Sequence, residues 1–241
     1  MKLEKFQKVA IIGAGPSLDY CFSELRALAH EGALFLISDS IAVGLIRVLK
    51  LEPQQTIIFT VEKRRHGYLL RDHKLKNFQI AAYAQCDQRN LPNGKILRFT
   101  LAHEKNTDEI ILHSPGTVAG VMLSFAKSKM RGARELYLFG CDFSYPENQV
   151  YSRLVTPHWR CNDHRLFNNI THQYLATLRK SSALQIVNGY AIKSTFEFMQ
   201  SAENWKSLLD QFSPRVALYD YSPLGIRHER VQKLSPNYSL S

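Results

Sequence analysis

Residues 8–12, Lys-Val-Ala-Ile-Ile, form a short β-branched run that ends directly on Gly13-Ala14-Gly15-Pro16-Ser17-Leu18, and residues 20–30 then place apolar side chains at helical spacing. Strand, tight glycine turn and helix in this order commit the N-terminal end to a βα unit. Such a unit buries its faces only when further parallel strands and helices join it. The chain supplies them. Residues 33–38 repeat the strand signature, Asp39-Ser40 can cap a second helix predicted over residues 41–50 and stopping before Pro53, and residues 56–61 predict a third strand. Residues 62–78 are basic and follow neither period. Residues 79–84 and 96–101 predict short strands about a turn at Leu91-Pro92-Asn93-Gly94.

The alternation then resumes. His113-Ser114-Pro115-Gly116-Thr117 opens a helix expected over 118–129, and residues 134–139 predict a strand that ends at Gly140-Cys141-Asp142. A polar and aromatic stretch at 143–163 precedes a helix expected over 165–180 and a strand over 184–187, closed by Asn188-Gly189. This order predicts an α/β fold: a doubly wound, mostly parallel Rossmann-like sheet with helices on both faces. Residues 1–194 would form the nucleotide-binding catalytic domain. Residues 195–241 would form a C-terminal helical extension and tail, in the same domain or appended to it, with a weakly patterned arm from Ser222 onward.

Composition narrows the class. At 241 residues the chain can bury a core without metals or disulfides, and 12 Gly and 9 Pro are too few for a collagen-like or largely disordered chain. No apolar run reaches the roughly 20 residues of a membrane span. The N-terminal segment carries charges of both signs and no apolar signal region, so the expectation is a cytoplasmic protein. The net charge of +10 raises nucleic acid as a partner. However, the bases are scattered through Lys63-Arg64-Arg65, Lys127 to Arg131 and Arg227 to Lys233. That scatter fits a phosphorylated small molecule, an anionic acceptor, peripheral contact with an acidic membrane surface, or a basic surface with no dedicated partner as well as it fits nucleic acid, which the loops described next make the less favoured partner. Homo-oligomerisation stays open. Cys21, Cys86, Cys141 and Cys161 form no CxxC pair, and a cysteine just past an apolar strand, as Cys141 is, reads as a buried structural thiol in preference to a nucleophile.

In an open parallel sheet, ligands sit beyond the carboxyl ends of the strands, where strand order reverses. Four loops therefore carry the candidate nucleotide site. In the first, Gly13, Ala14 and Gly15 let backbone approach a ligand, Pro16 sets the turn, and Ser17 can cap a helix whose N-terminus faces an anion. Position 18 is Leu where the dinucleotide fingerprint needs glycine, and no Gly-Lys-Ser/Thr comes after it, so a mononucleotide phosphate is favoured over NAD, FAD or a Walker-type site. In the second loop, Ser38, Asp39 and Ser40 can hold a ribose or base edge, or simply cap the next helix. In the third, Gly116 and Thr117 offer backbone and hydroxyl donors at a helix N-terminus. In the fourth, Gly140 leads to Asp142, a carboxylate past a buried strand that must find a cation, a hydroxyl or backbone donors.

The segment from Val9 to Asp19, the Gly116-Thr117-Val118 helix start and the strand from Glu135 through Gly140-Cys141-Asp142-Phe143, in that order and spacing, resemble two related groups. One is the Rossmann-like family of archaeal 6-hydroxymethyl-7,8-dihydropterin diphosphokinase and the flagellar motility accessory factors. The other is the bacterial sialyltransferases of glycosyltransferase family forty-two. The resemblance covers residues 8 to 190.

The sialyltransferase resemblance implies that the first loop and the Thr117 region bind the CMP part of CMP-sialic acid. It implies that tyrosines after the Gly-x-Asp-Phe strand, here Tyr145 and Tyr151, contact the phosphate, and that a downstream histidine is the general base. His158 and His164 are the candidates, His164 having the better spacing to the helix expected after it; for either, a surface or capping role is the alternative. An imidazole with an unperturbed pKa of about 6.5 can take the acceptor proton while tyrosine hydroxyls stabilise the departing phosphate, with no metal required.

Two departures bear on the choice between these groups. Ala14 stands where the sialyltransferases carry Asn, which leans toward the diphosphokinase group and so toward ATP and Mg²⁺, with acids clustered after the third strand. Here Val61-Glu62-Lys63 offers a single acid, so Asp39 and Asp142 would have to converge to help hold the ion. Lys63, Arg64 and Arg65 suit a sugar-nucleotide phosphate or an anionic glycan acceptor. The leading expectation is a glycosyltransferase that uses a CMP-linked acidic sugar to modify a bacterial surface glycan, glycoprotein or flagellin. The alternatives are an ATP/Mg²⁺-dependent diphosphokinase and a non-catalytic nucleotide or nucleic-acid binding module.

Overall fold

The computed structural model describes residues 3–61, 63, 75–88, 91–92, 94–102, 110–146, 151–155, 183–187, 190–222, 225 and 228–235, with the backbone path alone at 145–146, 183–187 and 190–193. Its centre is β1 (Lys8–Ile12), in parallel register with β2 (Leu34–Ser38) on one side and β7 (Glu135–Phe139) on the other, so that Val9 lies opposite both Leu34 and Leu136. From β2 the sheet continues through β3 (Thr56–Thr60), β4 (Gln79–Tyr83), β5 (Ile96–Leu101) and β6 (Ile110–Leu112). Beyond β7 it adds β11 (Ala217–Asp220) and β12 (Val231–Lys233). All nine strands are parallel, in the order β12-β11-β7-β1-β2-β3-β4-β5-β6.

The inner strands are buried on both faces, which is why β2 and β3 read as continuous apolar runs with no alternation. Side chains that alternate along β1 separate two cores. Val9 and Ile11 pack with α3 (Val118–Lys129) and α4 (Phe196–Leu209). Ala10 and Ile12 pack with α1 (Phe22–His30) and α2 (Asp39–Leu49). Helix α3 is buried at every position from Ala119 to Ala126, wedged between the strands and α4. That explains why its sequence shows little polar face.

The doubly wound parallel architecture is the one expected, with three local differences. A 3₁₀ turn over Pro16–Tyr20 precedes α1, so the helix starts at Phe22; Pro16 occupies the first position of that turn. Helix α2 begins at Asp39 with no intervening loop. After α4 the chain re-enters the sheet as β11 and β12, elements of four and three residues that are too short for a periodicity to register. Strands β9 (Ala183–Val187) and β10 (Tyr190–Ser194) pair antiparallel, and β8 (Tyr145–Pro146) joins them in a separate three-stranded sheet. The helix expected over 165–180 lies outside the described residues.

Candidate functional site

Strand order reverses at β1: the chain builds outward through β2 to β6, then crosses to β7 on the other side. The crevice beyond the carboxyl ends of β1 and β7 is thus the switch point of the sheet. Two glycine turns line it, and they are locked together. The Gly13 amide donates to the Phe139 carbonyl at 2.9 Å and the Gly15 amide to the Gly140 carbonyl at 2.8 Å, which carries the β1–β7 ladder past the strands. Side chains have no room here. A Cβ on Gly13 would lie 2.5 Å from the Gly140 oxygen, and one on Gly15 would lie 2.2 Å from Asp142 Oδ2. Gly140 itself sits at φ +59°, the left-handed region that favours glycine.

Asp142 closes the crevice from the β7 side. It is 3% exposed, and its Oδ2 accepts the Ser17 amide at 3.0 Å, so the anion at the head of the Pro16–Tyr20 turn is the protein's own carboxylate. Burial raises its pKa to about 6; the Ser17 amide and side chain oppose that rise, Asp220 adds to it and Lys233 reduces it. The Ser17 hydroxyl lies close enough to influence the carboxyl. Even so, among the described residues neither Ser17 Oγ nor Asp142 Oδ1 makes a hydrogen bond of proper geometry. A buried carboxylate oxygen without a donor is costly, and costs of this kind concentrate at functional sites.

The other candidate loops lie along the same edge. Asp39 Oδ2 accepts from Thr60 Oγ1 at 2.6 Å, and its Oδ1 accepts from the Ser40 amide at 2.8 Å and from Ser38 Oγ at 3.3 Å. Ser38 and Ser40 hydroxyls are 3.0 Å apart. This cluster ties the ends of β2 and β3 together, with Asp39 also complementing the α2 dipole. Thr117 caps α3 by accepting from the Gly120 amide at 3.0 Å. Gly116, at φ +98°, faces α4: a Cβ there would lie 2.0 Å from Ser201 Oγ, so helix packing accounts for this glycine. Exposed Lys63 places its ammonium 5.0 Å from the Tyr83 ring centre.

Tyr151 belongs to a segment docked on the first loop. The Ser152 amide donates to the Ala14 carbonyl at 2.9 Å, the Ser152 hydroxyl and the Arg153 amide both bond to Asp19, and Leu154 fills the space left by Gly44. Tyr145 lies in β8, its backbone opposite Lys193. Phe143, at φ +51°, turns its ring edge-on to Trp205 with centres 5.0 Å apart, and its carbonyl accepts from Ser194 Oγ at 2.7 Å. His158, His164, Arg64, Arg65 and Glu62 lie outside the described residues. Cys21, Cys86 and Cys141 are free and buried, as the sequence pattern predicts for structural thiols, and burial pushes each thiol up, Cys86 to about 11.

Among the described residues no three His, Cys, Asp or Glu side chains come together to hold a metal ion, so Asp39 and Asp142 form no such group with a third donor. No helix among them is long and apolar enough to cross a membrane. A cleft of about 360 Å³ lies between His113-Ser114-Pro115 and the α4 face carrying Asn204 and Ser207, with Gln211 just past that helix, beside the β5 and β6 ends and not at the switch point. The strand order, the glycine clamp and Asp142 mark the crevice as the candidate site instead.

Sequence reasoning missed Asp19, Thr60, Ser152, Asp220 and Ser222. Asp220-Tyr221-Ser222 closes the short strand β11 much as Gly140-Cys141-Asp142 follows β7, and that shared pattern was the available signal.

No family model matches this sequence, and no curated protein matches it. The solved structure of the MAf glycosyltransferase from Magnetospirillum magneticum AMB-1 superposes on it with a TM-score of 0.66 at 16% sequence identity, over 96% of this chain and 34% of the other. The likeness shows a shared Rossmann-like α/β fold, and this chain spans about a third of that protein's length.

Proposed function

We propose that this protein is a nucleotide-sugar-dependent glycosyltransferase whose donor nucleotide lies across the β1–β7 crevice, the donor being a CMP-linked acidic sugar. The observation that carries the reading is the switch-point crevice itself. Gly13, Gly15 and Gly140 hold two backbone turns in contact, and the buried Asp142 presents beside them an oxygen with no hydrogen bond of proper geometry among the described residues. The shared fold with a glycosyltransferase and the motif resemblance to sialyltransferases support it.

In this reading the acceptor hydroxyl attacks the anomeric carbon and the bond from that carbon to the phosphate oxygen breaks. The hydroxyl proton passes to His164 or His158, and the electron pair leaves with the CMP phosphate. Tyr145 and Tyr151 stabilise that phosphate, the latter from the segment docked on the glycine loop, and Lys63, Arg64 and Arg65 draw in the anionic donor or acceptor. Ser38, Asp39, Ser40 and Thr117 bind the nucleoside portion. No resident cofactor takes part. The acceptor is a hydroxyl of a surface glycan, glycoprotein or flagellin.

A thermal-shift panel of CMP, CMP-sugar, UDP, GDP and ATP, each with and without Mg²⁺, tests the donor class. Stabilisation by CMP and CMP-sugar without metal is expected, about 3 kcal/mol when ligand exceeds its dissociation constant a hundredfold. Stabilisation by ATP with Mg²⁺ and none by CMP would overturn this reading in favour of a diphosphokinase.

A further inference from the structure

We infer that Asp220, Ser222 and Lys233, at the ends of β11 and β12, are positioning residues that hold the Gly140–Asp142 turn in its nucleotide-binding geometry; the inference rests on the glycosyltransferase reading of that crevice. At Gly140 the left-handed backbone turns the chain out of β7, and the next amide, Cys141 N, no longer has a strand partner. It donates instead to Ser222 Oγ at 2.9 Å, across 81 residues of sequence. Ser222 is completely buried and every polar atom it has is engaged: its amide donates to Asp220 Oδ1 at 2.7 Å, and its carbonyl accepts from Lys233 Nζ at 2.9 Å and from the Gly225 amide at 2.8 Å.

Asp220 is 1% exposed and ion-paired to Lys233, Nζ to Oδ2, at 2.6 Å. Its carbonyl takes the Leu234 amide. Gly225 closes the arrangement from the side, since a Cβ there would lie 2.8 Å from Asp220 Oδ2 and 2.9 Å from the Cys141 carbonyl. A continuous bonded path therefore runs from Lys233 through Asp220 and Ser222 to Cys141. From there it reaches the Gly140 carbonyl that clamps Gly15 and the Asp142 carboxylate that takes Ser17 N.

Two short strands need no link of this kind to extend the sheet beyond β7. Its consequence is at the site: a buried amide at a left-handed turn is given one partner, and that partner is fixed on three further sides. Precision of this sort matters where a ligand must meet Asp142 and the glycine clamp within a fraction of an ångström.

The test compares wild type with Ser222→Ala, Lys233→Met and Lys233→Arg, measuring CMP affinity by calorimetry at 15 °C and melting temperature separately. For Ser222→Ala and Lys233→Met, affinity is expected to fall about tenfold or more, a change far larger than a rim contact gives, while the folded fraction at 15 °C stays complete. Lys233→Arg, whose guanidinium can still pair with Asp220, should keep wild-type affinity. If Ser222→Ala unfolds, Lys233→Met decides, because its side chain is a third exposed and its loss leaves the Ser222–Cys141 bond available. Lower melting temperature with unchanged CMP affinity would overturn the positioning role and leave the donor site intact. Failure of the wild type to bind any nucleotide would overturn the functional reading and the positioning role with it.

Discussion

Gly15→Ala is expected to cost the fold about 3 kcal/mol, near the upper end for adding one methyl to a packed site, and to abolish CMP binding. The added Cβ falls 2.2 Å from Asp142 Oδ2 and 2.6 Å from the Gly140 oxygen, so one of two backbone turns has to move. Neither can do so cheaply. Gly140 is held at φ +59° and accepts the Gly15 amide, while Asp142 holds Ser17. For a protein of this size the expected loss lowers the melting temperature by roughly 6–12 °C. Gly32→Ala is the control. It sits after α1 at φ +73° with no described residue within 4 Å of an added Cβ, so it should cost about 1 kcal/mol of backbone strain and leave CMP affinity unchanged. Wild-type affinity in Gly15→Ala would show that the glycine clamp is not part of the site.

Asp142 separates stability from binding. With its pKa raised to about 6, the folded protein below that pH holds a proton that the unfolded chain releases until pH falls near 4. Stability contributed by this group therefore rises as pH falls from about 6 toward 4, and its absence near neutrality amounts to about 3 kcal/mol of destabilisation. Asn keeps an oxygen for the Ser17 amide and cannot ionise, so Asp142→Asn should melt higher than wild type at pH 7 and show a flatter profile between pH 4 and 6. Some slope will remain, because burial raises the Asp220 carboxyl as well, against the pull of Lys233. CMP affinity should fall about tenfold, since Oδ1, an acceptor with no donor of proper geometry among the described residues, becomes an amide donor and repels the group it would have received. Asp142→Ala removes the acceptor altogether and should lose about 1–3 kcal/mol relative to Asn, the cost of a buried amide left without a partner. An Asn variant that melts lower than wild type at neutral pH, or that binds CMP unchanged, would contradict these roles of Asp142.

The same residue illustrates how far the sequence was legible. A carboxylate after the apolar run at 135–139 had to find a partner, and the partner is the Ser17 amide of the other loop that sequence singled out. Hydrophobic period and glycine placement are local signals, and they located β1, β2, β3, β7 and α3 and the edge on which their loops meet. They carry no information about what closes a loop from 80 or 130 residues away. Asp19 takes Ser152 and Arg153, and Ser222 takes Cys141, through bonds whose two ends share no pattern in the chain. The short strands β6, β11 and β12 escaped for a different reason. Three or four residues hold no measurable period, and it is pairing with a neighbour already in the sheet that makes them strands. Gly116 shows the reverse case: it looked suited to ligand approach, and its missing side chain makes room for Ser201 of α4.

Amide hydrogen exchange with and without saturating CMP tests the proposed nucleotide site most directly, because it reports where the ligand sits without requiring a variant to fold. Slowed exchange is expected at Gly13, Ala14, Gly15 and Ser17 and at 140–142, on both sides of the β1–β7 crevice, with little change at Asn204, Ser207 and Gln211. Unchanged exchange at both loops, or protection confined to the cleft beside His113, would contradict a donor site at the crevice.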